Sequence, residues 1–427
     1  MYEIVRQANF VFLGLLIVSG LLLIYRLVYH IYGYFPAKVF PEARKNHKYA
    51  IVIPARYESR VIEELLISIK SQEYPANLLQ TFVIVESLED PTCNICGRYD
   101  DVEVFVRPNL EIKTKGGALK QFFSMISEQD NDFDAYFIFD ADNVLSPTYI
   151  SELNKSFDCG YQLGLGFRNS KNWNSSWVAA GCAALFIGMN TYQNKCRSRF
   201  FETALMTGTG FYIADEIIRK MGGWTFETLT EDVELSFFVA LHRIKVAYHE
   251  TAEFFDEQPC SFTTSWKQRI RWLRGYHQNK QLRKKALKSA LRERNFGGIE
   301  VTLAYLPILF PVVSIALYIT FMIVIGVIAW WSGLGGYDLA FGGALVVFGG
   351  VYFFLVLYFL AIMWGNRRRV GLKYNNGLIA ACMYPVFLSQ FVSSYFIYFF
   401  KKDVKWEAIE RTTNIKVQIN EDYDRRS

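Results

Sequence analysis

Two carboxylates one residue apart, Asp140 and Asp142, close the apolar, β-prone run Asp134-Ala-Tyr-Phe-Ile-Phe-Asp140. Such a run reads as a buried strand, so both acids stand where the strand opens into a loop. Oxygen ligands in that place suit a hard divalent cation, Mg2+ or Mn2+, whose other positions can take diphosphate oxygens. Farther along, Thr230-Glu231-Asp232 precedes Val233-Glu-Leu-Ser-Phe-Phe238, which reads as a helix. A carboxylate at a helix N-terminus is well placed to stay ionised as a base. Gln268-Arg-Ile-Arg271-Trp272 comes next, and its spacing puts Gln268, Arg271 and Trp272 on one helical face. Amide donors, a guanidinium suited to phosphate and a ring face for stacking are thereby grouped. Taken singly, each acidic motif reads as readily as a turn or a helix cap. Their order and spacing carry the weight.

These residues need a scaffold that presents strand ends to one cleft. Tyr49–Pro54, Thr81–Glu86, Val102–Val106 and Ala135–Phe139 read as strands, and Val61–Ser71 and Gly117–Ile126 as helices. The alternation predicts an α/β domain with a mainly parallel sheet over residues 48–260, long enough for one buried core. Ligands of open α/β sheets bind at the carboxyl edges of strands. Ile53-Pro54-Ala55-Arg56-Tyr57-Glu58 stands at one such edge.

The chain has 427 residues, is 52% hydrophobic and 17% aromatic, and has a mean hydropathy of +0.12. That is too apolar for an ordinary soluble protein. A net charge of +5 is too mild to argue for nucleic acid. The basic residues gather beside apolar runs, as at a lipid bilayer surface. Ala8–Tyr25 is a retained anchor without a cleavage site, and Arg26, Lys38, Arg44, Lys45 and Lys48 behind it place the α/β domain in the cytosol. Blocks at 302–331, 340–364 and 376–400 are each long enough to span. Four spans would send the tail outside, whereas Lys401-Lys402 reads as cytosolic; Pro385, or Pro307 and Pro311, would mark a re-entrant or interfacial piece. The expected organisation is therefore an anchor and linker (1–47), a catalytic domain (48–260), basic amphipathic interface helices (261–300), a transmembrane region (301–400) and a tail (401–427). The seven cysteines, with a lone Cys93-Asn-Ile-Cys96, read as reduced thiols, and the five histidines show no metal-ligand spacing.

The ordered set Pro54-Ala-Arg-Tyr-Glu58, Lys115-Gly-Gly-Ala-Leu-Lys120, Asp140-Ala-Asp142, Gly208-Thr-Gly210, Thr230-Glu-Asp232 and Gln268-Arg-Ile-Arg-Trp-Leu-Arg-Gly275 resembles that of membrane-integrated family 2 glycosyltransferases. That group holds the cellulose, chitin, hyaluronan and poly-N-acetylglucosamine synthases. The likeness covers residues 49–276 and the flanking apolar segments. It implies a GT-A-type, mostly parallel sheet domain embedded between transmembrane helices, in the plasma membrane, with the catalytic domain cytosolic. By the same resemblance Pro54, Ala55, Glu58, Glu86, Lys115, Asp140, Gln268 and Arg271 would bind the nucleotide sugar. Asp140 and Asp142 would hold the metal, and Asp232 would be the base. Trp272, Glu231, Thr207, Gly208, Thr209 and Gly210 would serve the acceptor. Two positions depart from the family pattern. Glu86, in Val85-Glu-Ser-Leu-Glu-Asp90, stands where relatives carry a base-gripping Asp, and Arg56 stands where many have Tyr.

The resemblance implies inverting transfer from a UDP-linked sugar to a growing β-linked polysaccharide, coupled to export. The complete Gln-x-x-Arg-Trp motif favours polymerisation. The alternative is a single sugar added to a membrane lipid, as ceramide glucosyltransferases do. An inactive membrane scaffold is a third reading, and retention of every acid and of Gln268 counts against it. Tyr305, Trp330, Trp331 and Tyr352 are candidates to line a sugar path, or else belong to an ordinary interfacial belt.

Overall fold

The computed structural model describes residues 2–129, 131–304, 306–371 and 374–400. Eight strands form one sheet: β1 (Tyr49–Pro54), β2 (Leu79–Val85), β3 (Val102–Val106), β4 (Ala135–Ile138), β5 (Val144–Leu145), β6 (Leu163–Ser170), β7 (Phe211–Ala214) and β8 (Val246–Asp256). Their order is β3-β2-β1-β4-β7-β6-β8-β5. The first four strands pair in parallel, as the alternation predicts, and β6 pairs in parallel with β8. β7 runs antiparallel to both β4 and β6, and β5 antiparallel to β8, so the second half of the sheet is mixed. The reversal has a local consequence. Phe211, the first residue of β7, pairs with Ile138, the last of β4, which sets the preceding Gly208–Gly210 loop beside Asp140.

β1 is apolar on both faces because both are covered. Ala50 and Val52 pack with Phe122 and Phe123 on one side, and Tyr49, Ile51 and Ile53 with Leu65, Leu66 and Ile150 on the other. The covering helices are α2 (Ile62–Lys70) and α3 (Lys115–Glu128). Thr114 starts α3 by accepting a hydrogen bond from Gly117 N at 3.0 Å. Four more helices flank the second half of the sheet: α4 (Trp177–Gly188), α5 (Glu231–His242), α6 (Phe262–Gln278) and α7 (Lys280–Arg292). The basic stretch forms two helices, α6 and α7, broken at Asn279. Its Nδ2 donates to Thr228 Oγ1 and to Gly275 O, both at 3.1 Å.

Four helices are long and apolar enough to cross a membrane: α1 (Tyr2–Tyr32), α8 (Leu306–Trp331), α9 (Tyr337–Gly365) and α10 (Tyr374–Phe400). α1 packs on α8, where the Phe12 and Tyr318 rings stack at 3.7 Å and Tyr318 Oη donates to Asn9 Oδ1. α8 packs on α9, and α9 on α10 through Phe359 and Tyr384, 5.2 Å apart. The main apolar core runs from the sheet through α4 into Phe359, Ile362, Met363, Tyr384 and Phe387. Trp330 and Trp331 are exposed at the far end of α8, and Tyr352 Oη donates to Cys382 O. Tyr305 and the tail at 401–427 lie outside the described residues.

Candidate active site

Asp140 and Asp142 sit in the loop leaving β4, as the motif spacing predicts. Asp140 N donates to Thr209 Oγ1 at 2.8 Å, and Asn143 Nδ2 to Asp142 Oδ1 at 3.2 Å. Thr209 Oγ1 in turn donates to Asn143 Oδ1. One short network therefore holds both acids and the Gly-Thr-Gly loop. Lys115, the first residue of α3, reaches into it: its Nζ donates to Asp140 Oδ1 at 2.5 Å and to Gly208 O at 2.6 Å. Burial opposes its charge, but Asp140, Glu231 and Asp232 outweigh burial and hold the ammonium above its ordinary pKa.

Gly208 and Gly210 both have positive φ, +87° and +67°, where a side chain is strained. A Cβ on Gly208 would lie 3.5 Å from Asp232 Oδ2, and one on Gly210 would enter the Phe254 ring. The loop thus brings the carboxylate of α5 up to the acids of β4. Asp232 stays partly open to the cleft, while Glu231 beside it is buried. Burial raises the Asp232 pKa, countered by its helix-end hydrogen bond and by Lys115, Arg271 and Arg168. Glu231 is pushed up to about 7 by burial and by the Asp232 charge. Of the two neighbours, the buried one keeps its proton near neutrality and the open one faces the cleft.

α6 reaches this cluster because its Gly275 has no side chain. A Cβ there would sit 2.2 Å from Thr230 Oγ1. Arg271 Nη1 donates to Leu229 O at 3.2 Å, next to Thr230-Glu-Asp. Trp272 is half-buried, with the Arg269 guanidinium 4.1 Å from its ring centre and Phe186 edge-on at 5.9 Å. Gln268 Oε1 meets Arg269 Nη1 at 3.4 Å. At the opposite end of the cleft, Glu86 ends β2 and pairs with Arg56 Nε at 3.0 Å and Arg107 Nη1 at 3.8 Å. The two residues that depart from the family pattern are therefore partners. Pro54 and Ala55 close β1, and Glu58 N donates to Thr92 Oγ1 at 3.0 Å.

Residues 47–275 match the family described as glycosyltransferase like family 2, a little over half of the chain. The chain belongs to this family. A probable glycosyltransferase of Bacillus subtilis, YdaM, is 27% identical over 256 residues, covering 55% of this chain and 57% of the relative. The β-monoglucosyldiacylglycerol synthase of Trichormus variabilis is 23% identical over 54% of this chain and 49% of its own. The poly-β-1,6-N-acetyl-D-glucosamine synthase of Staphylococcus epidermidis is 25% identical over 52% of each. The chain spans about half the length of the curated relatives it matches. The mannosyltransferase PcManGT of Pyrobaculum calidifontis, solved with GDP-Man and Mn2+, superposes with a TM-score of 0.56 at 16% identity, covering 89% of this chain and 99% of that one. The shared architecture is the GT-A fold.

In this family 2 chain, sequence reasoning missed Arg168, Asn143 and Asp256. Arg168 is nearly buried; it donates to Thr207 O at 2.7 Å, pairs with Asp256, and lies 3.7 Å from the Phe186 ring centre. Burial works against its charge, but Asp256, Asp140 and Asp142 more than offset it. Arg168 thus braces the Thr207–Gly210 loop and adds positive potential near the acidic cluster. Its position in β6 gave no motif signal; Asn143, directly after Asp142, was in plain view. Among the described residues no cluster of three His, Cys, Asp or Glu could hold a metal alone. Two carboxylates fit a divalent ion that completes its shell with substrate phosphate, the usual arrangement for Mg2+. Lys115 supports that fit, since its ammonium already rests between Asp140 and a backbone carbonyl as a cation would.

Proposed function

We propose that the protein is a metal-dependent, inverting glycosyltransferase that moves one sugar from a nucleoside diphosphate to a membrane lipid. The observation that carries the chemistry is the convergence of Asp140, the Gly208 carbonyl and Asp232 around Lys115. Asp140 and Asp142 would hold Mg2+ or Mn2+, which when bound neutralises charge on the leaving diphosphate. Lys115 would move from Asp140 to a phosphate oxygen as the donor enters, with Arg271 behind it. Asp232 would accept the proton of the acceptor hydroxyl. One carboxylate base opposite the leaving group gives inversion, and hence a β-linkage from an α-linked donor. Trp272 would offer its open face to the acceptor.

The uridine donor rests on the family resemblance; Glu86, paired with Arg56 and with the buried Arg107 behind it, would contact the base.

The arrangement of apolar helices supports a lipid acceptor over a polymer threaded through the chain's own channel. α8 packs between α1 and α9, and α10 follows on α9; no substantial packing joins α10 to α1 or α8 among the described residues. Helices packed 8–10 Å apart in so small a group enclose no lumen for a pyranose. The catalytic domain would face the cytosol at the plasma membrane. The test is product analysis from protein in vesicles, given one radiolabelled nucleotide sugar at a time. A single sugar on an extractable lipid is expected, with UDP-linked donors best. Long polymer inside the vesicle lumen would reject the lipid reading.

A further inference from the structure

α10 passes by length and composition for a fourth crossing, with Gly377–Tyr395 as its apolar window. Its contacts say otherwise. Just before it, Arg369 Nη1 donates to Glu250 O at 2.8 Å, and Trp173 Nε1 donates to Val370 O at 2.7 Å, both on the catalytic domain. Midway, the Phe387 ring fills the space a side chain on Gly181 of α4 would need, and Phe387 and Phe391 flank the Arg269 guanidinium at 5.4 and 5.3 Å. Trp266 Nε1 of α6 donates to Ser393 Oγ at 3.0 Å. Near its end, Tyr398 stacks on His277 of α6 at 4.4 Å.

α6 does not cross a membrane. It carries Lys267 exposed, Arg271 beside the acids and Gly275 against Thr230. A crossing α10 of 27 residues would carry its last turn about 40 Å from its first, on the far side of the bilayer. Both ends instead touch one water-facing domain.

We infer that α10 does not cross but lies along the catalytic-side leaflet, between the lipid and the catalytic domain. Its exposed residues are Leu378, Ile379, Cys382, Val386 and Ser389, which fall on one stripe, while Ala380, Tyr384 and Phe387 on the opposite face are buried. That outer stripe is apolar or small throughout, as a face resting in the acyl boundary should be. Arg367 and Arg368 at its head are exposed and suit anionic headgroups at the same depth. α9 has length to spare: its 29 residues reach about 43 Å, so its last turns can leave the hydrocarbon and meet α4 and α10 there. The chain then has three crossings, α1, α8 and α9, and the tail emerges on the catalytic side, where Lys401-Lys402 belong by charge.

The test is independent of activity and of the acceptor's identity. Single spin labels would be placed at 379, 382, 386 and 389 of the full chain in vesicles, with Cys93, Cys159, Cys260 and Cys382 otherwise replaced by Ser. Depth would be read from oxygen and nickel-chelate accessibility. A helix along the leaflet gives all four labels similar, shallow depths. A steady increase of about 15 Å from 379 to 389 overturns the inference. A cleavable tag at the C-terminus supplies the second reading, in vesicles whose catalytic domain faces the medium. Protease should remove it while sparing a site inserted at 333–336. A C-terminal tag protected together with the 333–336 site, as a crossing α10 requires, also overturns it.

Discussion

The proposed donor side of the cleft and the proposed acceptor side are built by different means. On the donor side, Ala55, Glu86 and Asp140 each stand at the carboxyl end of a parallel strand, so one rule of sheet topology places all of them. On the acceptor side, Asp232, Arg271 and Trp272 sit on helices, held by partners distant in sequence: Gly208 against Asp232, Thr230 against Gly275, Phe186 against Trp272. The donor half depends on the sheet, which can tolerate change around the rim. The acceptor half depends on a few close approaches, each of which a single side chain can spoil.

The largest effects should come from the acids, and they should separate the halves. Asp232→Asn is expected to lower kcat by roughly 10²–10⁴-fold with donor affinity nearly unchanged, because the lost group acts on the acceptor hydroxyl in the transition state. Asp142→Asn should lower turnover by a comparable factor, about 10³-fold, and weaken donor and metal binding together. Isothermal titration with UDP and Mn2+ distinguishes the two. If Asp232→Asn lost donor affinity and Asp142→Asn kept it, the assignments would have to be exchanged. Metal affinity should also depend on nucleotide, since only two protein carboxylates contribute.

A smaller effect is expected at the seam between α5 and α6. Gly275→Ala would press a methyl group into Thr230, so the helix must shift. Overpacking of this kind costs about 1–3 kcal/mol. Activity should fall about tenfold or more, through acceptor KM and kcat, while UDP binding stays within twofold. Equal loss of UDP binding would show that the seam supports the whole domain. Trp272→Ala should behave similarly, with slow donor hydrolysis surviving and transfer lost.

The same contrast explains how much could be read from the chain. Four strands and two helices of the donor half were visible in hydrophobic alternation, with β1 and β3 correct to the residue. Asp140, Asp142 and Asp232 were singled out by the order and spacing of their motifs, and the fold gathers them around Lys115. Arg168 was not visible: its role arises from an ion pair with Asp256, 88 residues away, and from β7 bringing Thr207 above it. The pairing of Arg56 with Glu86 was equally hidden, since each looked like a separate departure. The mixed half of the sheet was missed for a related reason, as antiparallel pairing is fixed by where a long excursion returns.

The smallest effect concerns protons at Glu231, and its sign comes from burial. The carboxyl is raised from an ordinary 4.5 to about 7 in the folded chain. Between those values the folded protein keeps a proton that the unfolded chain has released. This contribution to stability is complete below pH 4.5, declines as pH rises toward 7, and has no further slope above it. Asp232 is also raised and adds a slope of the same sign, so the comparison must be made between variants. Glu231→Gln cannot release a proton, so its thermal midpoint, followed from pH 4.5 to 8 in detergent, should decline less steeply up to pH 7 than that of the natural protein. The curves should become parallel about one pH unit above 7, once Glu231 has ionised against Asp232 with Lys115 beside both. Parallel curves across the whole range would mean that Glu231 is already ionised at pH 5. The buried neighbour would then be a second charged acid in the cleft, and the division of labour between Glu231 and Asp232 would fail.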